Sequence, residues 1–337
     1  GGHRGVQGRC RVRGRWRWIV GWALLTALVV VAALGMDSRQ TLGVVAGADP
    51  LWLALAVLAN GAILPLATVQ WLLFLPRGTR IPPGKMFSIV ALTASVSNGG
   101  PPLAGHATGI HLLATRGGIG HSAGVSLTIL DQIAEGLAKL FVVAAAAALV
   151  PGFEYPVVGL GVVLGAPALA LGFTALVHRG HVVKRLASQT TGRPGRVLGF
   201  LSRTVSHLDA LRRPATFVPA VALAVAKKGL EALGVWAAAM ALGLSLPLWV
   251  VVAVVVAVNL SGLVAPTPAH LGVYEGSAFL VLRAAGIEAD LALAVALVAH
   301  AAYLLPLAGT GWLVESLRPW KRVDASAGPG PERSDDG

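Results

Sequence analysis

The sequence predicts an all-α fold: a polytopic integral membrane helix bundle of about eight spans, two of its segments broken by proline and glycine. Three observations predict it. The 337 residues are 55% hydrophobic and only 12% charged, with a mean hydropathy of +0.73, whereas a soluble domain carries about twice that charged fraction. The apolar residues gather in long blocks, several reaching the ~20 residues that cross a hydrocarbon core as a helix. The formal net charge of +12 sits beside those blocks rather than on a face of its own, as topological charge does. That placement speaks against nucleic acid as a partner.

The elements follow in order. Arg4, Arg9, Arg11, Arg13, Arg15 and Arg17 make residues 1–17 a basic arm that favours the cytoplasmic side. Cys10, the single cysteine, excludes an internal disulfide. A first span at 18–35 opens on interfacial tryptophans and is too long to read as a cleaved leader. An acidic turn at 36–49 and a second span at 50–75 come next, closing on Trp71 and Phe74.

Residues 86–115 are apolar but interrupted by Asn98-Gly99-Gly100-Pro101-Pro102. Proline removes a backbone donor and glycine weakens a helix, so the segment reads as a re-entrant hairpin entering from the cytoplasmic side. Spans at 122–150 and 157–177 precede a basic loop at 178–213. Within that loop Val197, Leu201, Val205 and Leu208 recur at helical spacing, which fits either a helix lying on the membrane surface or an ordinary basic loop.

Two spans at 214–242 and 247–264 lead into a second broken segment at 265–276, and a last span covers 291–314. The single transmembrane domain is thus 18–318, with a disordered tail at 319–337. Eight spans return the cationic tail to the side of the N-terminus. If the second broken segment re-enters instead, there are seven and the tail lies opposite.

Ionisable groups inside apolar blocks carry the functional signal, because a charge at the bilayer centre costs roughly 2.5–3.5 kcal/mol even on insertion scales. Asp131, Glu135 and Lys139 share one helix face at i, i+4 and i+8. Lys227, Lys228 and Glu231 lie midway along a later span, and His300 in the middle of the last. Glu135 with Lys139, and Lys227 with Glu231, have the spacing of structural pairs within one helix. The alternative is a polar pathway contacting a charged headgroup. The broken segments add His106, His270 and Glu275. His106 and His111 are five apart, not the four of His-x-x-x-His, so no metal site is expected. No nucleotide-binding loop or Gly-x-Ser-x-Gly elbow occurs, and no cofactor or enzymatic motif is evident.

The broken segments resemble a known family. Pro101-Pro102-Leu103-Ala104-Gly105-His106 followed by Leu112-Leu113-Ala114-Thr115-Arg116-Gly117 is similar to the first signature of the flippase-like family built on the transmembrane region of lysylphosphatidylglycerol synthase. Leu130-Asp131-Gln132-Ile133-Ala134-Glu135 resembles its Glu-Arg-x-x-Asp block, and Pro266 to Glu275 its Pro-Gly-Gly-x-Gly-x-x-Glu block. Pro306 and Gly309 fit the ending. His106, Gln132, His270 and His300 stand where the family usually has charged residues or glycine, while Asp131, Glu135 and Glu275 keep acidic positions.

The resemblance implies a protein of the bacterial cytoplasmic membrane that flips or transports a lipid or lipid-linked, phosphate-bearing molecule. Its partners would be membrane lipids, anionic or polyprenyl-linked, with a separate synthase or transferase supplying them. On that reading Lys227 and Lys228 neutralise a headgroup, free N–H groups at the half-helix starts help to hold it, and Asp131, Glu135 and Glu275 bind a proton or counter-ion. A membrane subunit of a lipid-modifying transferase and a non-catalytic scaffold are the alternatives.

Overall fold

The chain from Pro50 becomes a helix for local reasons. Asp49 is its N-cap, the carboxylate accepting from the Leu51 N–H at 2.8 Å, and Pro50 stands in the first turn, where no donor is needed. The Asp49 N–H donates to the Ala241 carbonyl at 2.8 Å, which ties this start to the end of a later helix. This is a computed structural model, and it describes residues 43, 45–100, 102–149, 185, 192–264 and 267–317. The expected spans at 18–35 and 157–177, the basic arm, the turn at 151–156, most of 178–191 and the tail lie outside the described residues.

Among the described residues the secondary structure is entirely helical. α1 (Pro50–Gly61) and α2 (Ile63–Leu73) run on as one apolar stretch of 24 residues. α3 (Pro83–Gly99) and α4 (Pro102–Thr115) follow, then α5 (His121–Leu149) and α6 (Gly192–Ser206). A 3-10 turn (His207–Arg212) leads into α7 (Pro214–Ala241) and α8 (Leu248–Val264). A second 3-10 turn (Pro268–His270) precedes α9 (Val273–Ala284) and α10 (Ala289–Leu317).

The α1–α2 stretch, α5 and α10 are long and apolar enough to cross a membrane. α7 has the length, at 28 residues, but carries Lys227, Lys228 and Glu231 at its middle. Large apolar side chains on the outside, such as Leu58, Phe141, Val218, Leu280, Leu305 and Trp312, are exposed. A patchwork of that size is a liability in water and an ordinary surface in lipid.

The first broken segment is a hairpin. α3 and α4 pack on each other, and a Cβ built on Gly105 would lie 2.7 Å from the Ser97 Cα, one on Gly109 3.0 Å from the Thr93 methyl. The pairs 97/105 and 93/109 are both centred on Pro101, so the arms are antiparallel and both ends emerge at the same end of the bundle. The arms, 17 and 14 residues, reach about 25 and 21 Å, short of a ~30 Å core. The re-entrant geometry expected for 86–115 is what the chain adopts.

The second broken segment makes a similar turn at the opposite end. Ser261 Oγ and Ser277 Oγ meet at 3.2 Å, a pairing centred on Ala269, and α8 and α9 pack along each other. Ala269 and His270 adopt left-handed conformations (φ 54° and 53°), an unusual pair for residues with side chains, and Gly272 (φ 78°) completes the reversal. The turn itself packs against α3, so the two tips approach each other inside the bundle.

α10 is the element on which both hairpins lie. Ser95 on α3 accepts from the Gly311 N–H at 3.0 Å, and a Cβ on Gly311 would come 2.5 Å from the Ala91 carbonyl oxygen, so glycine permits this close approach. Glu275 on α9 meets His300 further toward the N-terminal half. Pro306 stands between these two attachments. Because α9 runs back along α8, the C-terminal end of α10 lies at the base of the first hairpin, where Glu315 forms a bidentate pair with Arg116 at 2.8 and 3.0 Å. The end of α10 and the base of the first hairpin therefore share one end of the bundle.

Residues 192–206 of the basic loop form α6, and Ser126 Oγ on α5 donates to the Thr204 carbonyl at 2.7 Å. Val197 and Leu201 on it stay exposed, while Leu208 and Leu211 join the core. Two hydrophobic cores fill the bundle, one around Leu64, Met86, Ile89, Leu127 and Leu130 and the other around Val250, Val254, Leu282 and Val295. On α7 the first core uses Ala220 and Ala224 and the second begins near Val235. Lys227, Lys228 and Glu231 fall between the two.

Candidate functional site

Polar side chains cannot join either core without partners, since an unpaired charge in an apolar interior is far costlier than one in water. Between the cores they gather around a cavity of about 330 Å³. Its wall takes Asn60 from α1, His106 from α4, Gln132, Glu135 and Lys139 from α5, and Lys228 and Glu231 from α7. Asn259 from α8, His270 from the second tip, Tyr274 from α9 and Tyr303 from α10 complete the polar lining.

The ion pairs are not the ones that spacing within a helix suggests. Glu135 pairs across to Lys227, with Lys228 at 3.6 Å from its other oxygen, rather than down its own helix to Lys139. Glu231 takes Lys228 at 2.5 Å, one position nearer than the Lys227 that i, i+4 spacing favours. Asn259 closes the network: its Oδ1 accepts from Lys228 at 3.1 Å and its Nδ2 donates to Glu231 at 3.0 Å. Each carboxylate thus has a cation, and the Glu231–Lys228 pair also has an amide. That is the condition under which buried ion pairs are tolerated. Lys227 and Lys228, expected to neutralise a headgroup, are both paired with carboxylates here.

Asp131 shares the face of Glu135 but turns to a different neighbour. Its Oδ1 accepts from Trp71 Nε1 at 3.0 Å and Gln70 Nε2 at 3.2 Å, both on α2, and Gln132 lies 3.4 Å from Oδ2. It stands behind the cavity wall rather than on it. Trp71 is buried and serves this carboxylate, and Phe74 is buried with it, so neither is an interfacial aromatic.

Glu275 and His300 form a third group behind the wall. Glu275 Oε2 accepts the Gly272 N–H and Oε1 meets His300 Nδ1, each at 2.8 Å. One of the backbone donors at the start of α9, that of Gly272, is therefore occupied. Tyr274 stacks on the His300 ring with centroids 4.4 Å apart and planes 7° apart. His300 Nε2 and Gln70 Oε1 are buried without a hydrogen-bond partner among the described residues.

The structure thus brings His106, Glu135, Lys228, Glu231 and His270 onto one cavity, with Lys227 bonded into its wall and Asp131, Glu275 and His300 just behind. Reading charges alone missed Asn60, Asn259, Gln132, Tyr274 and Tyr303. Asparagines in the middle of apolar blocks were the available signal, since a neutral amide also needs a partner in lipid. Among the described residues no group of three or more His, Cys, Asp or Glu side chains converges as metal ligands.

Opposed hairpins with a charged cavity between their tips define a polytopic helical membrane protein with a polar interior, the class in which broken helices mark ligand sites near the midplane. The chain belongs to the family described as the lysylphosphatidylglycerol synthase TM region, whose family model matches residues 18–311. Membership agrees with a lipid-related membrane function. A search of curated proteins finds no match to the chain.

Proposed function

We propose that the protein moves a lipid or lipid-linked, phosphate-bearing molecule across the cytoplasmic membrane of a bacterium, holding the headgroup in the cavity while the chains stay in lipid. The observation that carries this reading is the position of the cavity between the tips of two hairpins that enter from opposite ends. Such a layout shortens the apolar barrier to a headgroup from both sides, and the polar wall replaces part of the headgroup's hydration. In this reading the base of the α3–α4 hairpin, with Arg77, Arg80 and Lys85, faces the cytoplasm, as basic loops do. A separate synthase or transferase makes the molecule that is moved.

The test is transport by the purified full chain in liposomes carrying a fluorescent anionic phospholipid, with the outer leaflet quenched chemically. Wild-type protein is expected to expose inner-leaflet lipid to the quencher. Glu231→Gln and Asn259→Leu, if they remain monodisperse, are expected to slow it on the order of tenfold, the scale of one charge-assisted hydrogen bond. Normal rates in both variants would remove the cavity from the pathway.

A further inference from the structure

Of the charged groups on the cavity wall, Lys139 is the one with no carboxylate at ion-pairing distance; Glu135 and Glu231 act on it only from further away. Its neighbour one turn back, Glu135, is engaged by Lys227 and Lys228 of α7, and Glu231 is held by Lys228 and Asn259. Among the described residues no carboxylate lies within ion-pairing distance of the Lys139 ammonium and no acceptor bonds it. The side chain lines the main cavity and also a small crevice beside it, walled by Val142, Val143, Val256 and Leu260. Aliphatic surroundings of this kind suit the methylene stem of a lysine.

Two more basic side chains on the wall have no side-chain partner among the described residues, His106 on the first hairpin and His270 at the second tip. Lys139, His106 and His270, none with a side-chain hydrogen bond or close ion pair among the described residues, therefore converge on one space, with the Asp131 carboxylate acting on His106 from behind the wall. An ammonium half-buried there is less favourable than a paired one, because longer-range attraction to Glu135 and Glu231, both engaged by other lysines, offsets only part of its desolvation. A ligand that supplies negative charge there and binds only the folded state offsets that cost.

We infer that Lys139 is the anion-binding residue of the cavity, receiving a phosphate oxyanion, with the ring nitrogens of His106 and His270 as flanking hydrogen-bond groups and the Glu135–Lys227 and Glu231–Lys228–Asn259 pairs as pre-satisfied wall. This deepens the proposed function, on which the source of the phosphate rests. The oxyanion belongs to a lipid headgroup on that reading, but a free phosphate offers the same chemistry.

Thermal unfolding of the detergent-purified full chain separates the possibilities. The probes are phosphatidylglycerol, diacylglycerol with the same acyl chains, and inorganic phosphate. Wild type is expected to be stabilised by phosphatidylglycerol and not by diacylglycerol, as a ligand bound only by the folded state requires. Lys139→Met and Lys139→Gln are expected to bind phosphatidylglycerol on the order of tenfold more weakly, with Lys139→Arg close to wild type. Without ligand, Lys139→Met should melt no lower than wild type, having lost no close ion pair, whereas Lys227→Met should melt lower.

Stabilisation by inorganic phosphate alone, lost in Lys139→Met, would uphold the anion site while defeating the lipid reading of the function. Undiminished phosphatidylglycerol binding in Lys139→Met and Lys139→Gln would overturn the inference. So would an unliganded Lys139→Met that melts as low as Lys227→Met, since that result makes Lys139 a structural partner.

Discussion

Glu135 and Lys227 reach each other from α5 and α7, with side-chain exposures of 18% and 6%, and each makes the other's burial tolerable. Removing Lys227 leaves Glu135 with only the Lys228 contact at 3.6 Å, an effect toward the lower end of the about 3–5 kcal/mol seen for broken buried pairs. Lys227→Met is accordingly expected to lower stability by that order, and Glu135→Gln on top of it to restore part of the loss, measured by denaturant unfolding in detergent. Equal stabilities of the single and double variants would show that the pair is not coupled. The positions of these charges were legible in the sequence because lysine and glutamate stand out in an apolar block. Their partners were not, since pairing along one helix is the only geometry a sequence displays. Lys139 shows the difference: at i+4 from Glu135 it looks paired, and the lysines of a helix nearly a hundred residues away take its partner.

At the scale of the element, the hairpins were the most legible features. Asn98 to Pro102 and Ala265 to Gly276 contain the residues that end helices, and the chain reverses at both. What the sequence did not display is how closely the first hairpin's arms approach. The Ser97 backbone passes so near Gly105 that any side chain there meets it. Gly105→Ala should therefore destabilise the hairpin by about 1–3 kcal/mol, the usual range for overpacking. Trimming Ser97 to glycine in the same protein should recover only part of it, because the Ser97 Cα remains in the way. Full recovery, read from thermal unfolding, would place the strain in the serine side chain alone. Neutral residues carry a weaker signal in a sequence: nothing singles out Asn259 there, yet it bonds both members of the Lys228–Glu231 pair.

For the whole molecule, the antiparallel run of α8 and α9 decides on which side the last helix ends. With Cys10 replaced by serine, single cysteines at Arg80 and Ser316 should react with a membrane-impermeant maleimide from one face of the membrane. Cysteines at Ser245 and Glu288 should react from the other. Labelling of Ser316→Cys together with Ser245→Cys would contradict the arrangement of α10. The parity was beyond sequence reasoning, because a broken segment of twelve or so residues can be counted as a crossing or as a re-entry. The Ser261–Ser277 contact shows the return, and the Arg116–Glu315 pair shows where the chain arrives.

Pro306 gives this architecture a joint. A proline inside a helix lacks the donor for one backbone bond and crowds the carbonyl four residues earlier, and sharp helix bends occur at such places. Here that point divides α10 between the half bonded to Ser95 and the half bonded to Glu275. Each hairpin is thus fastened to its own lever, and the two levers share one pivot beside the cavity. A bend at that point is expected to change the angle between the two hairpins without breaking the Gly311–Ser95 or His300–Glu275 hydrogen bonds.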